Sequence, residues 1–243
     1  MGIMNAPMML AASSGDDVDF MVHGLIPLKF FGHKVWITTT HVTTLIVMVF
    51  IIVLALIARH AVLHGDEKPS GLQNFVEMIV EMLDNLVKGS MGRHWRPFVN
   101  YIGTIMVFIF FANTSGLFGL RPPTADYGTT LALALITFVL IQYSACKTSK
   151  LHVFTDLFKP IPILFPINLI GEFATPLSMS LRLFGNIMAG TIMMALWYGL
   201  LPWLAQLGIP AFLHMYFDLF SGAIQTFVFA MLTMTFITDK REA

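Results

Sequence analysis

The sequence predicts an all-α integral membrane protein, with about five membrane-crossing helices and one amphipathic surface helix. Three observations carry this. Of 243 residues, 56% are hydrophobic and only 12% are charged, with a mean hydropathy of +0.76, whereas soluble domains carry roughly 25% charged residues. The apolar residues gather in runs long enough to cross a hydrocarbon layer, which takes about 20 helical residues. Lys and Arg are spread unevenly over the connections between those runs, the bias that orients membrane proteins. A net charge of zero leaves no basic footprint, so no nucleic-acid partner is expected. A single cysteine, Cys146, excludes an internal disulfide or a Cys-rich metal site. The 17 methionines and 22 phenylalanines read as packing and lipid-contacting residues, and no cofactor is expected.

The chain reads as one membrane domain over residues 1–243. Residues 1–35 are an outside tail, acidic at Asp16, Asp17 and Asp19. Residues 1–20 lack a basic stretch, and Met8–Ala12 is too short for the apolar core of a secretory signal. The first span covers 36–58, with Trp36 as an interfacial anchor. His60 and His64 follow at a spacing that can chelate a metal on a helix. With no third ligand nearby they read instead as a solvated cluster with Arg59 and Lys68. Pro69-Ser-Gly opens an amphipathic helix at 71–88. Leu72, Phe75, Val76, Ile79, Leu83 and Leu86 fall on one side, and Gln73, Asn74, Glu77, Glu81, Asp84 and Lys88 on the other. Too polar to span, it lies in the membrane interface or packs on a partner helix.

Residues 98–120 and 129–145 form a hairpin of spans around the turn Arg121–Asp126. Near that turn, Asn113, Thr114 and Ser115 either line water or bond between helices. Lys147, Lys150 and Lys159 follow, and then Pro160, Pro162 and Pro166. The last two spans are 163–201 and 211–237. Pro202, Gly208 and Pro210 turn the chain between them, so they should be antiparallel neighbours. With the N-terminus outside and the C-terminus inside, ten of the 14 Lys and Arg lie inside and three outside. The remaining one is Arg182.

Arg182 is the residue the chain is organised around. It is the only arginine in its span, and an arginine at a bilayer centre costs roughly 2.5–3.5 kcal/mol on insertion scales. It lies about 28 Å of helix from the start of the span, at 1.5 Å per residue, too far for its side chain to reach water easily. Such a residue is kept where it meets an ion, a carboxylate or a watery cavity. A structural arginine bonded to helix carbonyls is the competing reading. Asn168, Glu172, Thr175, Arg182 and Asn186 share one helix face, and Pro176 on the same span should bend it. The last span repeats the pattern with His214, Asp218, Ser221 and Gln225. Two matched polar stripes favour an ion path, although an Asp218–Arg182 salt bridge would also account for Asp218.

Ser180-Leu-Arg-Leu-Phe-Gly-Asn-Ile-Met-Ala-Gly190 closely resembles the signature of subunit a of the F-type ATP synthase membrane sector. Other blocks resemble that family in order: Pro69-Ser-Gly-Leu-Gln-Asn-Phe, Asn113-Thr-Ser-Gly-Leu, Pro123-Thr-Ala-Asp, Phe165-Pro-Ile-Asn-Leu-Ile-Gly-Glu-Phe-Ala and Gln225-Thr-Phe-Val-Phe-Ala. The resemblance implies a membrane subunit that is not catalytic on its own. Its partners would be the c-subunit ring, the peripheral-stalk b subunits, the rest of the complex and the lipid bilayer. It would sit in a bacterial inner membrane, its last two helices long and tilted along the ring and helix 71–88 at the cytoplasmic surface. By similarity, Arg182 faces the ring carboxylate and separates two half-channels for protons, beside Asn186 and Gln225. The ion path would also draw on Asp218, Glu172, His214, Ser221 and Asn113. Thr191 departs from the family, many members having an acid or histidine there, so more of any titrating role falls on Asp218, with Glu172 as a second candidate. A sodium-coupled version of the subunit is the alternative. A stand-alone secondary transporter and a purely structural anchor have less support.

Overall fold

The computed structural model describes residues 24–30, 33–63, 71–149, 163, 165–200 and 209–242. It is a helical bundle preceded by one short antiparallel hairpin, β1 (Gly24–Phe30) and β2 (His33–Thr38), with Pro27 opposite Trp36 and Lys29 opposite Lys34. The helices are α1 (Thr39–Leu63), α2 (Gly71–Met91), α3 (Val99–Thr114), α4 (Tyr127–Ser149), α5 (Phe165–Leu200), α6 (Ile209–His214) and α7 (Gly222–Glu242). A π-helical segment, Met215–Ser221, joins α6 to α7 without a break, so the two read as one long rod.

Five helical stretches are long and apolar enough to cross a membrane. The first begins at Thr39 rather than at residue 36, because Val35, Trp36 and Ile37 belong to β2. The alternation of β-branched and aromatic residues there serves a strand as well as it would a helix start. The loop carrying Lys150, Lys159, Pro160 and Pro162, the turn with Pro202 and Gly208, and the tail before Gly24 lie outside the described residues. Helix α5 has 36 residues with Pro176 inside it. At 1.5 Å per residue it is about 54 Å long, against a hydrocarbon core of ~30 Å. A helix of that length crosses tilted or projects beyond the bilayer.

Two buried clusters hold the bundle. One gathers Val87 and Met91 of α2, Phe98, Ile102 of α3, Ile141 of α4, and Ala230, Met234 and Ile237 of α7. The other joins Ile105 and Ile109 of α3 to Ala134 of α4, Met179 and Leu183 of α5, and Phe229 of α7. Helix α2 therefore packs on its own chain. Val76, Ile79, Leu83 and Leu86 are half-buried, but Phe75 faces outward. Gln73 is buried on the packed side, its amide donating to Glu77 Oε1 at 2.9 Å.

The two ends of the bundle differ in charge. Lys88, Arg93, Arg96, Lys147, Lys240 and Arg241 collect at one end, where α2, α4 and α7 run out. At the other end lie the 115–127 connection and the π-helical segment, with Arg121, Asp126, His214 and Asp218.

Candidate functional site

The last two long helices touch along a narrow seam. Ser221 Oγ donates to Asn186 Oδ1 at 2.7 Å. Just beyond it, a Cβ on Gly190 would meet the Phe217 side chain at 3.2 Å, so glycine permits the close approach. The polar faces of α5 and of the final rod thus meet through Asn186 and Ser221. The Asn186 amide nitrogen is buried and has no hydrogen-bond partner among the described residues. Buried orphan donors are rare, and each calls for a water, an ion or another explanation.

Arg182 is exposed on α5 and has no ion-pair or hydrogen-bond partner among the described residues. The structural salt bridge to Asp218 is not formed. Asp218 Oδ2 instead meets His214 Nδ1 of its own helix at 2.9 Å. Beneath the arginine, Leu183 is only 1% exposed and belongs to the core.

Among the described residues, two cavities that border α5 use separate lengths of it. The larger, about 590 Å³, takes α5 residues from Phe184 to Met194, including Thr191, and faces His214, Asp218, Arg121 and Asp126. The smaller, about 250 Å³, takes Gly171 to Arg182 and faces Leu232 and Phe236 of α7. The break between them falls at Leu183. One cavity lies toward the end with the 115–127 turn, the other toward the basic end. Arg182 stands at the inner limit of the second.

The approach to Asp218 is shaped by glycine and by the π-helical turn. A Cβ on Gly116 would lie 3.2 Å from the Asp218 carboxyl carbon. Gly119 takes a left-handed backbone, φ 70°, which turns the chain back after the 3₁₀ turn Ser115–Phe118. π-helical turns concentrate at functional sites, and this one carries Asp218 in its middle. Thr191, where an acid or histidine is the alternative expected from the resemblance, spends its hydroxyl proton on Ile187 O at 2.9 Å.

Two expected path residues, Asn113 and Glu172, sit apart from both cavities. Asn113 is fully buried, at 0% exposure, and lines neither cavity. Its amide donates to Gly222 O at 3.3 Å and its carbonyl accepts from Thr124 Oγ1 at 2.7 Å. Of its two open readings, the structure shows the helix-to-helix bond, because both of its polar ends are already satisfied. Glu172 faces neither void. It is ion-paired with Lys240 at the end of α7 and accepts from Gln142 Nε2 of α4 at 2.7 Å. Next to it Arg241 Nε donates to Ser144 Oγ at 2.7 Å and its guanidinium covers the Phe98 ring at 5.0 Å. Gln225 is half-buried on α7, on the first turn after the π-helical segment. Among the described residues no group of three His, Cys, Asp or Glu could hold a metal.

The family model of the ATP synthase A chain matches residues 41–238. The sodium-ion-specific ATP synthase subunit a of Propionigenium modestum is 39% identical over 218 residues, covering 83% of this chain and 73% of the relative. ATP synthase subunit a of Priestia megaterium is 36% identical over 237 residues, covering 90% and 98%.

Proposed function

This chain belongs to the ATP synthase A chain family, and we propose that it carries protons to and from a ring carboxylate through two half-channels that Arg182 keeps apart. The observation that carries this reading is the division of α5 between two cavities, with the change at Arg182 and Leu183. An ion entering one cavity neutralises a carboxylate on the partner ring. The neutral site can turn into lipid, where a bare charge would cost too much. After rotation it meets the other cavity and releases the ion.

Arg182 holds a permanent positive charge between the two, since guanidinium does not deprotonate. It favours the ionised carboxylate as that passes and repels cations that would leak through. Its exposure and lack of a partner among the described residues leave it available to a carboxylate from outside. Each charge crossing is worth ~2.3 kcal/mol per 100 mV, the drive converted to rotation. Asn186 and Gln225 flank the same level. Excess Lys and Arg at one end of the bundle support a cytoplasmic C-terminus, so the smaller cavity opens inward and the larger outward. The ring, the b subunits and a bacterial inner membrane are the surroundings this reading requires.

The test is ATP-driven pumping by the whole complex in vesicles, wild type against Arg182→Ala, with and without sodium. Acidification that is lost in the variant and indifferent to sodium is expected. Sodium uptake lost in the variant would keep the path and change the ion, as the Propionigenium modestum relative's name suggests. Pumping that survives the substitution contradicts the reading.

A further inference from the structure

The larger cavity holds two groups that can bind and release a proton in direct contact. His214 Nδ1 and Asp218 Oδ2 are 2.9 Å apart, one helical turn from each other. They are graded in access, the His214 side chain being 39% exposed and that of Asp218 18%. Farther along the same rod, Ser221 is bonded across to Asn186, one helical turn from Arg182. The other charged residues facing this cavity are Arg121 and Asp126 of the turn, and Asp126 already caps the Gly128 amide at 3.0 Å. The α5 wall contributes no charged side chain.

We infer that His214 is the outer member of a two-step proton relay, loading Asp218 from the water of the larger cavity, and that the ion this cavity carries is therefore the proton. The inference rests on the half-channel reading above. Imidazole suits the post because it changes charge within the physiological range and has two nitrogens that can work in sequence. In the loading step a hydronium O–H bond breaks and an N–H bond forms at Nε2. The imidazolium then gives its Nδ1 proton to Asp218 Oδ2, and the ring is left neutral with its proton on Nε2. Asp218 holds the proton for the arriving ring carboxylate, and the ring exchanges with water to regain Nδ1–H. A sodium ion, which takes oxygen ligands as hard cations do, gains nothing from the imidazole.

The experiment is proton-driven ATP synthesis by the complete complex in vesicles, with pH varied on the side to which the larger cavity opens. Wild type is compared with His214→Asn and His214→Gln, each normalised to assembled complex. Asn keeps a donor near the position of Nδ1 but cannot titrate. The relay predicts a loss on the order of a hundredfold at neutral pH, the low end of what a positioned acid–base group contributes. It further predicts that acidifying that side restores the rate, because hydronium then loads Asp218 directly. A rate equal to wild type at every pH overturns the relay. So does a loss that acid leaves unchanged, which would make His214 only a positioning residue for Asp218, and so does wild-type synthesis driven by a sodium gradient imposed in place of the proton gradient. Arg182→Ala run alongside separates the two levels. If that variant still synthesises ATP, the half-channel reading has failed. If it is inactive while both His214 variants behave as wild type, only the relay has.

Discussion

Two carboxylates sit on the last two long helices, each beside a basic partner, and their settings could hardly differ more. Asp218 pairs with His214 on its own helix, in contact with a large cavity. Glu172 pairs with Lys240 from another helix, 68 positions along the chain, and is also held by Gln142 from a third. Neutralising Asp218 disturbs one side-chain contact within a single rod. Neutralising Glu172 loosens the junction of α4, α5 and α7. A group that must gain and lose a proton at every step is better placed where its charge supports nothing else. A group that fastens helices is better placed where nothing exchanges with it. We read Asp218 as part of the path and Glu172 as part of the clasp.

Substitutions can break this contrast. The largest effect should come from Asp218→Asn. It removes a titratable group without changing shape, so turnover per assembled complex should fall at least about a hundredfold while the amount of complex stays normal. Normal turnover with an unchanged pH profile would make Asp218 structural. Glu172→Gln should do the reverse. The half-buried Lys240 ammonium loses its partner, at a cost of about 1–3 kcal/mol, so the complex should inactivate at lower temperature with turnover per complex preserved. Reversing both charges together, Glu172→Lys with Lys240→Glu, should recover much of that loss. A turnover defect in Glu172→Gln that the double reversal does not repair would put Glu172 back in the path.

Smaller effects sharpen the seam between the helices. A Cβ at Gly222 would come within 2.9 Å of the Asn113 Cβ, and both belong to helical backbone that has little room to shift. Gly222→Ala should cost about 1–3 kcal/mol by overpacking, read as a lower inactivation temperature. The smallest effect should be Cys146→Ser, since Cys146 is exposed. It should stay within about 0.5 kcal/mol of wild type, which makes it a useful background for labelling.

Much of the bundle was legible because membranes punish polar residues. Arg182, Asn186, Asp218 and Ser221 stood out as polar residues in apolar runs, and the structure brings Asn186 and Ser221 into contact as the matching faces require. What was not legible depends on partners distant in sequence. Nothing in Met-Tyr-Phe-Asp-Leu-Phe-Ser announces a π-helical turn; its position follows from packing against Gly116, Asn186 and Gly190. Asn113 was ambiguous because an amide can face water or bridge helices equally well, and only the positions of Gly222 and Thr124 decide it. The Glu172–Lys240 pair joins residues whose separation no helical period relates. The strands at 24–30 and 33–38 left only a weak signal, the β-branched and aromatic run Val35-Trp-Ile-Thr38. The hydropathy of Trp36 and Ile37 drew those two residues into the first span instead.

The central claim is that the cavities on either side of Leu183 open to opposite faces of the membrane. In a Cys146→Ser background, single cysteines at Met188 and Thr191 report on the larger cavity, and at Thr175 and Ser178 on the smaller. Each would be exposed to a membrane-impermeant thiol reagent applied to right-side-out or inverted vesicles of the whole complex. The account predicts that positions 188 and 191 react from the outer face alone and 175 and 178 from the cytoplasmic face alone. Labelling of both pairs from the same face would contradict it.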